Sequence, residues 1–161
     1  LFGKLAESYK AELQHIHLPL ELKQSFPKIS KGENYEEMPW VMLDYPKQFS
    51  INDVFAIRTF FWWGNCFSIT LHIKGHFLEL IEKSKIENMV KWSICINKNE
   101  WQHHFREDNF IPTYNFNFSN INSLPFLKLA QQFSIDRWEN LDEDLISAFR
   151  EILVLLKNKT H

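Results

Sequence analysis

The sequence predicts an α+β domain: a mixed, mainly antiparallel sheet of about five strands with one βαβ crossover, packed by N- and C-terminal helices. Three observations carry that expectation. Apolar residues recur at helical spacing at both ends of the chain, the middle breaks into short aromatic and β-branched runs, and a helical pattern lies between two of those runs. The chain has 161 residues, 45% of them hydrophobic, with only 4 Gly and 6 Pro. That composition reads as one α+β domain over 1–161 that can bury its own core.

Phe2, Leu5, Tyr9, Leu13 and Ile16 form the stripe of an amphipathic helix over 2–16, with Lys4, Glu7, Lys10 and Glu12 outward. Residues 17–38 show no period and contain Pro19, Pro27 and Gly32, so a long loop is expected there, acting as a lid or a surface wrap. Strands follow at 40–43, 54–61 and 66–73, the last two joined by a turn within Trp62-Trp63-Gly64-Asn65. Helical spacing returns at Phe77, Leu80, Ile81, Ser84 and Val90, with Glu79 and Lys83 as an i,i+4 pair. A fourth strand at 91–96 alternates Trp92, Ile94 and Ile96 against Ser93, Cys95 and Asn97, after which Asn99 caps a short helix to Phe105. Alternation over 110–118 gives a fifth strand, placed at a sheet edge because Pro112 has no N–H for a ladder. Phe126, Leu129, Ala130 and Phe133 read as a helical stripe, and Asn140-Leu141-Asp142-Glu143 as the capping box of a last helix facing inward through Leu145, Phe149, Ile152, Leu153 and Leu156.

Charge and composition exclude several function classes. The 18 basic and 20 acidic residues are interspersed and the net charge is -2, so the basic stripe of a nucleic-acid binder is missing. The uncharged stretches 59–73 and 109–127 are too short, or too rich in Asn and Pro, to span a bilayer. Leu1-Phe2-Gly3-Lys4 does not begin a secretory signal, and Cys66 and Cys95 lie in apolar runs without a CxxC, as reduced, buried thiols do. A cytoplasmic location is expected. The four glycines are far apart, so no GxGxxG, P-loop or nucleophile elbow is present and no cofactor is expected.

The hairpin over 54–73 fixes which side chains share a face. A three-residue loop, Trp63-Gly64-Asn65 with Asn65 left-handed, pairs Trp62 with Cys66 and Arg58 with Thr70. It collects Phe55, Ile57, Phe61, Phe67, Ile69, Leu71 and Ile73 on one face and leaves Arg58, Ser68, Thr70 and His72 on the other. An arginine in mid-strand keeps its charge and must find a partner. Two readings follow: an internal ion pair with Asp44, Asp53 or a helix glutamate, or an anchor for an anion or carboxylate in a pocket walled by Phe60, Trp62 and Trp40.

The βαβ unit would place strands 66–73 and 91–96 parallel, gathering His72, His76, Asn97, His103, His104 and Asp53 at one sheet edge, where open sheets hold ligands. Histidine there suits acid-base chemistry, while the histidine spacings fit no metal site. The 25 aromatic side chains (15 Phe, 6 Trp, 4 Tyr) read as core and partner-interface packing. The segments Met38-Pro39-Trp40-Val41-Met42-Leu43-Asp44-Tyr45-Pro46 and Phe55-Ala56-Ile57-Arg58-Thr59-Phe60-Phe61-Trp62-Trp63-Gly64-Asn65 resemble a family of small uncharacterised bacterial proteins, a resemblance that runs over much of the chain and implies no activity.

The expected function is a non-enzymatic module that binds a partner protein or a small anionic ligand, with no nucleic acid and no membrane as partners. Arg58, Thr70, His72, Trp62 and His103 are the candidate ligand-binding residues, with no catalytic and no metal-ligating residue assigned. The alternative is a small hydrolase or transferase that uses the histidine-lined edge.

Overall fold

The computed structural model describes residues 1–157. Seven strands, β1 (Lys28–Tyr35), β2 (Met38–Phe49), β3 (Val54–Trp62), β4 (Cys66–Lys74), β5 (Ser93–Cys95), β6 (Phe110–Pro112) and β7 (Phe126–Ser134), form one sheet in the order β1-β2-β3-β4-β7-β5-β6. Every ladder is antiparallel. The helices are α1 (Phe2–Leu13), the single turn α2 (Leu20–Lys23) and α3 (Leu141–Val154).

Alternation sorts the side chains of β3, β4 and β7. Odd-numbered residues Phe55, Ile57, Phe67, Ile69, Leu71, Ile73, Leu127 and Leu129 face α1 and α3, joining Leu5, Tyr9, Leu145, Phe149 and Ile152 in the main core. Tyr9 stacks on Phe149 with ring centroids 4.0 Å apart, and its hydroxyl meets Thr59 Oγ1 at 2.9 Å, so the one polar atom at the helix contact is satisfied. No helix among the described residues is long and apolar enough to cross a membrane.

The α+β class holds, but the sheet is larger and wound differently from the expectation. The βαβ crossover is absent. β7 lies between β4 and β5, so those two share a direction only through two antiparallel steps. The segment expected to be the crossover helix forms two 3-10 turns, Gly75–Leu80 and Lys83–Asn88, split at Ile81. Ile81 is extended because it bridges Leu156, with Glu82 N donating to Leu155 O and Lys157 N to Leu80 O. The chain leaving α3 therefore breaks the helix, and Lys83 reaches Asn122 rather than Glu79.

Residues 126–133 are a central strand, not a helix. Their stripe fits either period in so short a run, and burial on both faces removes the alternation that separates the two. The loop expected over 17–38 contains α2 and the edge strand β1. Residues 99–105 make no helix, because Asn99 Oδ1 accepts from Trp101 N in a tight turn instead. The fifth strand stops at Pro112 in a 3-10 turn, although β6 does lie at the sheet edge. At α3 the Asn140 side chain makes no capping bond, and Asp142, Glu143 and Asp144 supply the negative charge favoured at a helix start. The three-residue hairpin register holds, with Trp62 opposite Cys66 and Arg58 opposite Thr70. Its left-handed residue is Gly64 rather than Asn65.

Candidate functional site

The second face of the sheet carries the even-numbered side chains of β3, β4 and β7, arranged in cross-strand rows. One row runs Lys28, Asp44, Arg58, Thr70, Ala130; the next runs Ser30, Met42, Phe60, Ser68; a third runs Gly32, Trp40, Trp62, Cys66. Among the described residues no α-helix covers this side, since α1, α2 and α3 all pack into the core of the other face. Its cover is the loop 96–109, which lies over β7 and closes one flank of a cleft on β1, β2 and β3.

That cleft has a volume of about 670 Å³, within the range of small-molecule sites. Asp44, Arg58, Met42 and Phe60 form its floor, and Lys28, Ser30, Asn34 and Tyr35 its outer wall. Trp40 and Phe49 stand at its ends, and Trp101 and His103 reach in from the loop. Two local features of the sequence set these walls. Gly32 lies beneath Trp40, where a β-carbon would meet the indole at 2.5 Å, so glycine lets that ring lie flat across β1. A bulge between Asp44 and Lys47 switches the parity of β2 and brings Phe49 onto the face of Arg58, whose guanidinium carbon sits 5.8 Å from the ring centroid.

Arg58 is paired. Its Nε donates to Asp44 Oδ1 at 2.6 Å and its Nη2 to Asp44 Oδ2 at 3.2 Å, a side-on fork. Among the described residues nothing engages Nη1, so the end-on edge of the guanidinium is open. The expected ion pair with Asp44 and the expected pocket are therefore the same place. Asp53, the other acidic candidate named, lies just before β3 and instead accepts from His76 N and pairs with the His76 ring.

Of the remaining candidates only His103 joins Arg58 in the cleft. Its ring lies 5.0 Å from that of Phe60 and 5.4 Å from that of Tyr35, and its backbone N–H donates to the Tyr35 hydroxyl at 2.9 Å. Burial, then the charges of Lys128 and Arg58, depress the imidazole to about 2, so it is neutral near pH 7. Trp62 supports the wall from behind: its Nε1–H donates to Tyr35 O, and Tyr35 in turn donates to Gln102 Oε1 at 3.0 Å. Thr70 is buried beside Arg58 in the row and does not line the cleft.

His72 stands apart, beneath Trp101. Its Nε2 meets Glu100 Oε1 at 3.0 Å, while Nδ1 is buried without a partner. Burial first, and then Lys128, Arg58 and Lys74, push its pKa down to about 3, which makes it a neutral donor to Glu100. The histidine edge expected from the crossover does not assemble. His76 is exposed between Asp53 and Glu21, His104 is buried elsewhere in the loop, and His103 lines the cleft while His72 does not.

Sequence reasoning missed Lys128, which organises the loop. It is 2% exposed, and its ammonium donates to the backbone carbonyls of Glu100 at 2.8 Å and Gln102 at 2.6 Å. Burial lowers its pKa to about 8. Glu100 binds Lys74 at 3.1 Å as well as His72, and Arg106 forks onto Glu36 at the β1–β2 turn, so the loop is fastened at both ends of its span. The signal in the sequence is a single charge inside the run Phe126-Leu127-Lys128-Leu129-Ala130. Asn109 completes the fastening by donating to the carbonyls of Gln102 and His104.

Cys66 and Cys95 are free and buried, and burial raises both thiols. Among the described residues no three His, Cys, Asp or Glu side chains converge as a metal site would need. No family model, curated protein or solved structure matches this chain.

Proposed function

We propose that the chain is a non-enzymatic binding module whose cleft takes a small organic anion. One observation carries the reading: a guanidinium already oriented by a buried carboxylate presents its free edge at the floor of an aromatic-walled cleft. A positioned Arg that needs no rearrangement gives up little entropy on binding, which favours ligand recognition over a purely structural role. The hydrolase or transferase alternative has less support, because His72 and His103 share no cavity and His72 is committed to Glu100.

The test is a thermal-shift screen of small organic anions against the wild type and the double variant Asp44→Asn/Arg58→Met. The pair is replaced together because removing Arg58 alone would strand Asp44, only 5% exposed. A ligand at a hundredfold excess over Kd stabilises the native state by about 2.7 kcal/mol. The expected result is stabilisation of the wild type that the double variant loses. Anions that stabilise both proteins equally would remove the reading.

A further inference from the structure

The kind of anion can be narrowed from the donors and walls of the same cleft, an inference that rests on the anion-binding reading above. We infer that the ligand is a planar aromatic monocarboxylate, its ring held among Trp40, Phe60 and Trp101 and its carboxylate on the free end-on edge of Arg58. Asp44 occupies Nε and Nη2 side-on, which leaves Nη1 and the second Nη2 hydrogen as a two-donor fork. That fork matches the two coplanar oxygens of a carboxylate.

Charge points the same way. Lys28 and Arg58 are two positive groups set against the single negative Asp44, which leaves one positive charge in the cleft. Lys28 has no ion pair among the described residues, although Asp44 is its register partner. His103, neutral, adds none. One surplus charge balances a monoanion. A phosphate dianion would be under-compensated, and its usual supports are missing, since every lining residue comes from β1, β2, β3 or the loop 96–109 and none from a helix N-terminus.

The walls select the body of the ligand. Trp40 and Phe60 have centroids 6.2 Å apart, Phe49 and Trp101 6.3 Å apart, and both pairs are tilted by 43°. Such an arrangement offers ring faces and edges to a flat guest, with which stacking adds to simple area burial. Trp101 is 47% exposed and Phe49 38%, so both present free aromatic surface at the mouth.

Isothermal titration calorimetry with naphthoate, its neutral isostere naphthamide, naphthyl phosphate, decalin carboxylate and N-acetyltryptophan tests each part separately. Naphthoate should bind the wild type at least about tenfold more tightly than every other probe, a difference of roughly 1.4 kcal/mol. Arg58→Lys, which can still pair with Asp44 but offers no planar fork, should weaken naphthoate by at least about tenfold. Trp101→Ala, a change on an exposed loop ring, should also weaken it, and it serves if Arg58→Lys fails to fold.

Tighter binding of naphthyl phosphate, or equal binding of decalin carboxylate, overturns the aromatic carboxylate and leaves the small-anion reading standing. Tighter binding of N-acetyltryptophan overturns the planar ligand in favour of an acid set off its ring, as at a peptide C-terminus. Equal binding of naphthamide overturns both readings. Failure of all five probes overturns the aromatic-carboxylate inference, and the anion screen then decides the other.

Discussion

The two faces of the sheet come from the same strands and the same alternation, yet they are built on opposite principles. On the helix face every odd residue of β3 and β4 from Phe55 to Ile73 is apolar apart from Thr59, whose hydroxyl meets Tyr9, and burial alone specifies the packing. On the other face Arg58, His72 and Lys128 lie in the middle of the sheet, each held by a carboxylate or by backbone carbonyls. The first face holds the fold together. The second buries charge that a stable core does not need, and it leaves open donor edges at Arg58 and an unpartnered Nδ1 at His72. Their difference separates residues whose burial holds the fold together from residues that keep polar groups unused inside it.

The sharpest way to break that contrast is to cut an equivalent ring from the dry side. Phe149 is 0% exposed and stacked on Tyr9, so Phe149→Ala opens a cavity beneath α1 and α3. A loss of about 3 to 5 kcal/mol is expected, measured by urea unfolding. Trp101→Ala, on the cleft side, should change stability by far less. If the two variants were equally destabilised, the division of labour between the faces would fail.

How far the sequence made each face legible follows the same division. The dry face could be read from alternation: the hairpin register, the inward set from Phe55 to Ile73 and both terminal helices were all accessible. The Arg58 pair was also within reach, because a mid-strand arginine has few options and Asp44 was one of the carboxylates expected for it, but of the three expected wall residues Trp62 does not line the cleft. The strand order was not. Residues 126–133 fit two periods, and the choice depends on β7 being inserted between β4 and β5, a long-range pairing that no local pattern records. Once β7 is read as a helix, Lys128 disappears from the sheet, and with it the reason the loop 96–109 folds over His72 and brings His103 to Arg58. Phe49 was hidden for a different reason: its face is set by the bulge before Lys47, and a one-residue parity change reverses every inference drawn from counting.

The two faces also differ in their response to pH. His72 has its pKa lowered from the ordinary 6.5 to about 3, by burial first and then by Lys128, Arg58 and Lys74. A histidine of the unfolded chain takes up its proton near pH 6.5, whereas folded His72 refuses it until about pH 3. The unfolded state therefore binds more protons across that window, and stability falls as pH drops through it, by up to about 1.4 kcal/mol per pH unit for one group. His103, also depressed, acts in the same direction. Urea unfolding at pH 7, 6 and 5 should give a falling free energy, and His72→Gln, which can still donate to Glu100, should remove one proton's share of that slope. An unchanged slope would mean that His72 is not held neutral.

The smallest global effect, and the most localised, belongs to Lys128→Met. Two magnitudes oppose each other. The drop of the Lys128 pKa from 10.5 to about 8 amounts to roughly 3 kcal/mol of penalty on the ammonium relative to a lysine in water, a burial cost that methionine of similar length would relieve. Against this, the carbonyls of Glu100 and Gln102 lose their donor, at about 1 to 3 kcal/mol each if they stay buried, and less where the loop can turn them to water. The two contributions nearly cancel, so the unfolding free energy should move by less than about 2 kcal/mol in either direction. The loop should not escape so lightly. Without the ammonium, residues 100–103 lose the two bonds that tie their backbone to β7, keeping those of Glu100 to His72 and Lys74 and of His103 to Tyr35, and amide hydrogen exchange should rise there while β3 and β4 keep their protection. Trp101 and His103 would then no longer be fixed over the cleft, so naphthoate affinity should fall although neither residue has changed. Unaltered exchange in the loop would show that Glu100, through His72 and Lys74, together with Arg106, Asn109 and Tyr35 holds it without the ammonium, and that Lys128 is merely tolerated in the sheet.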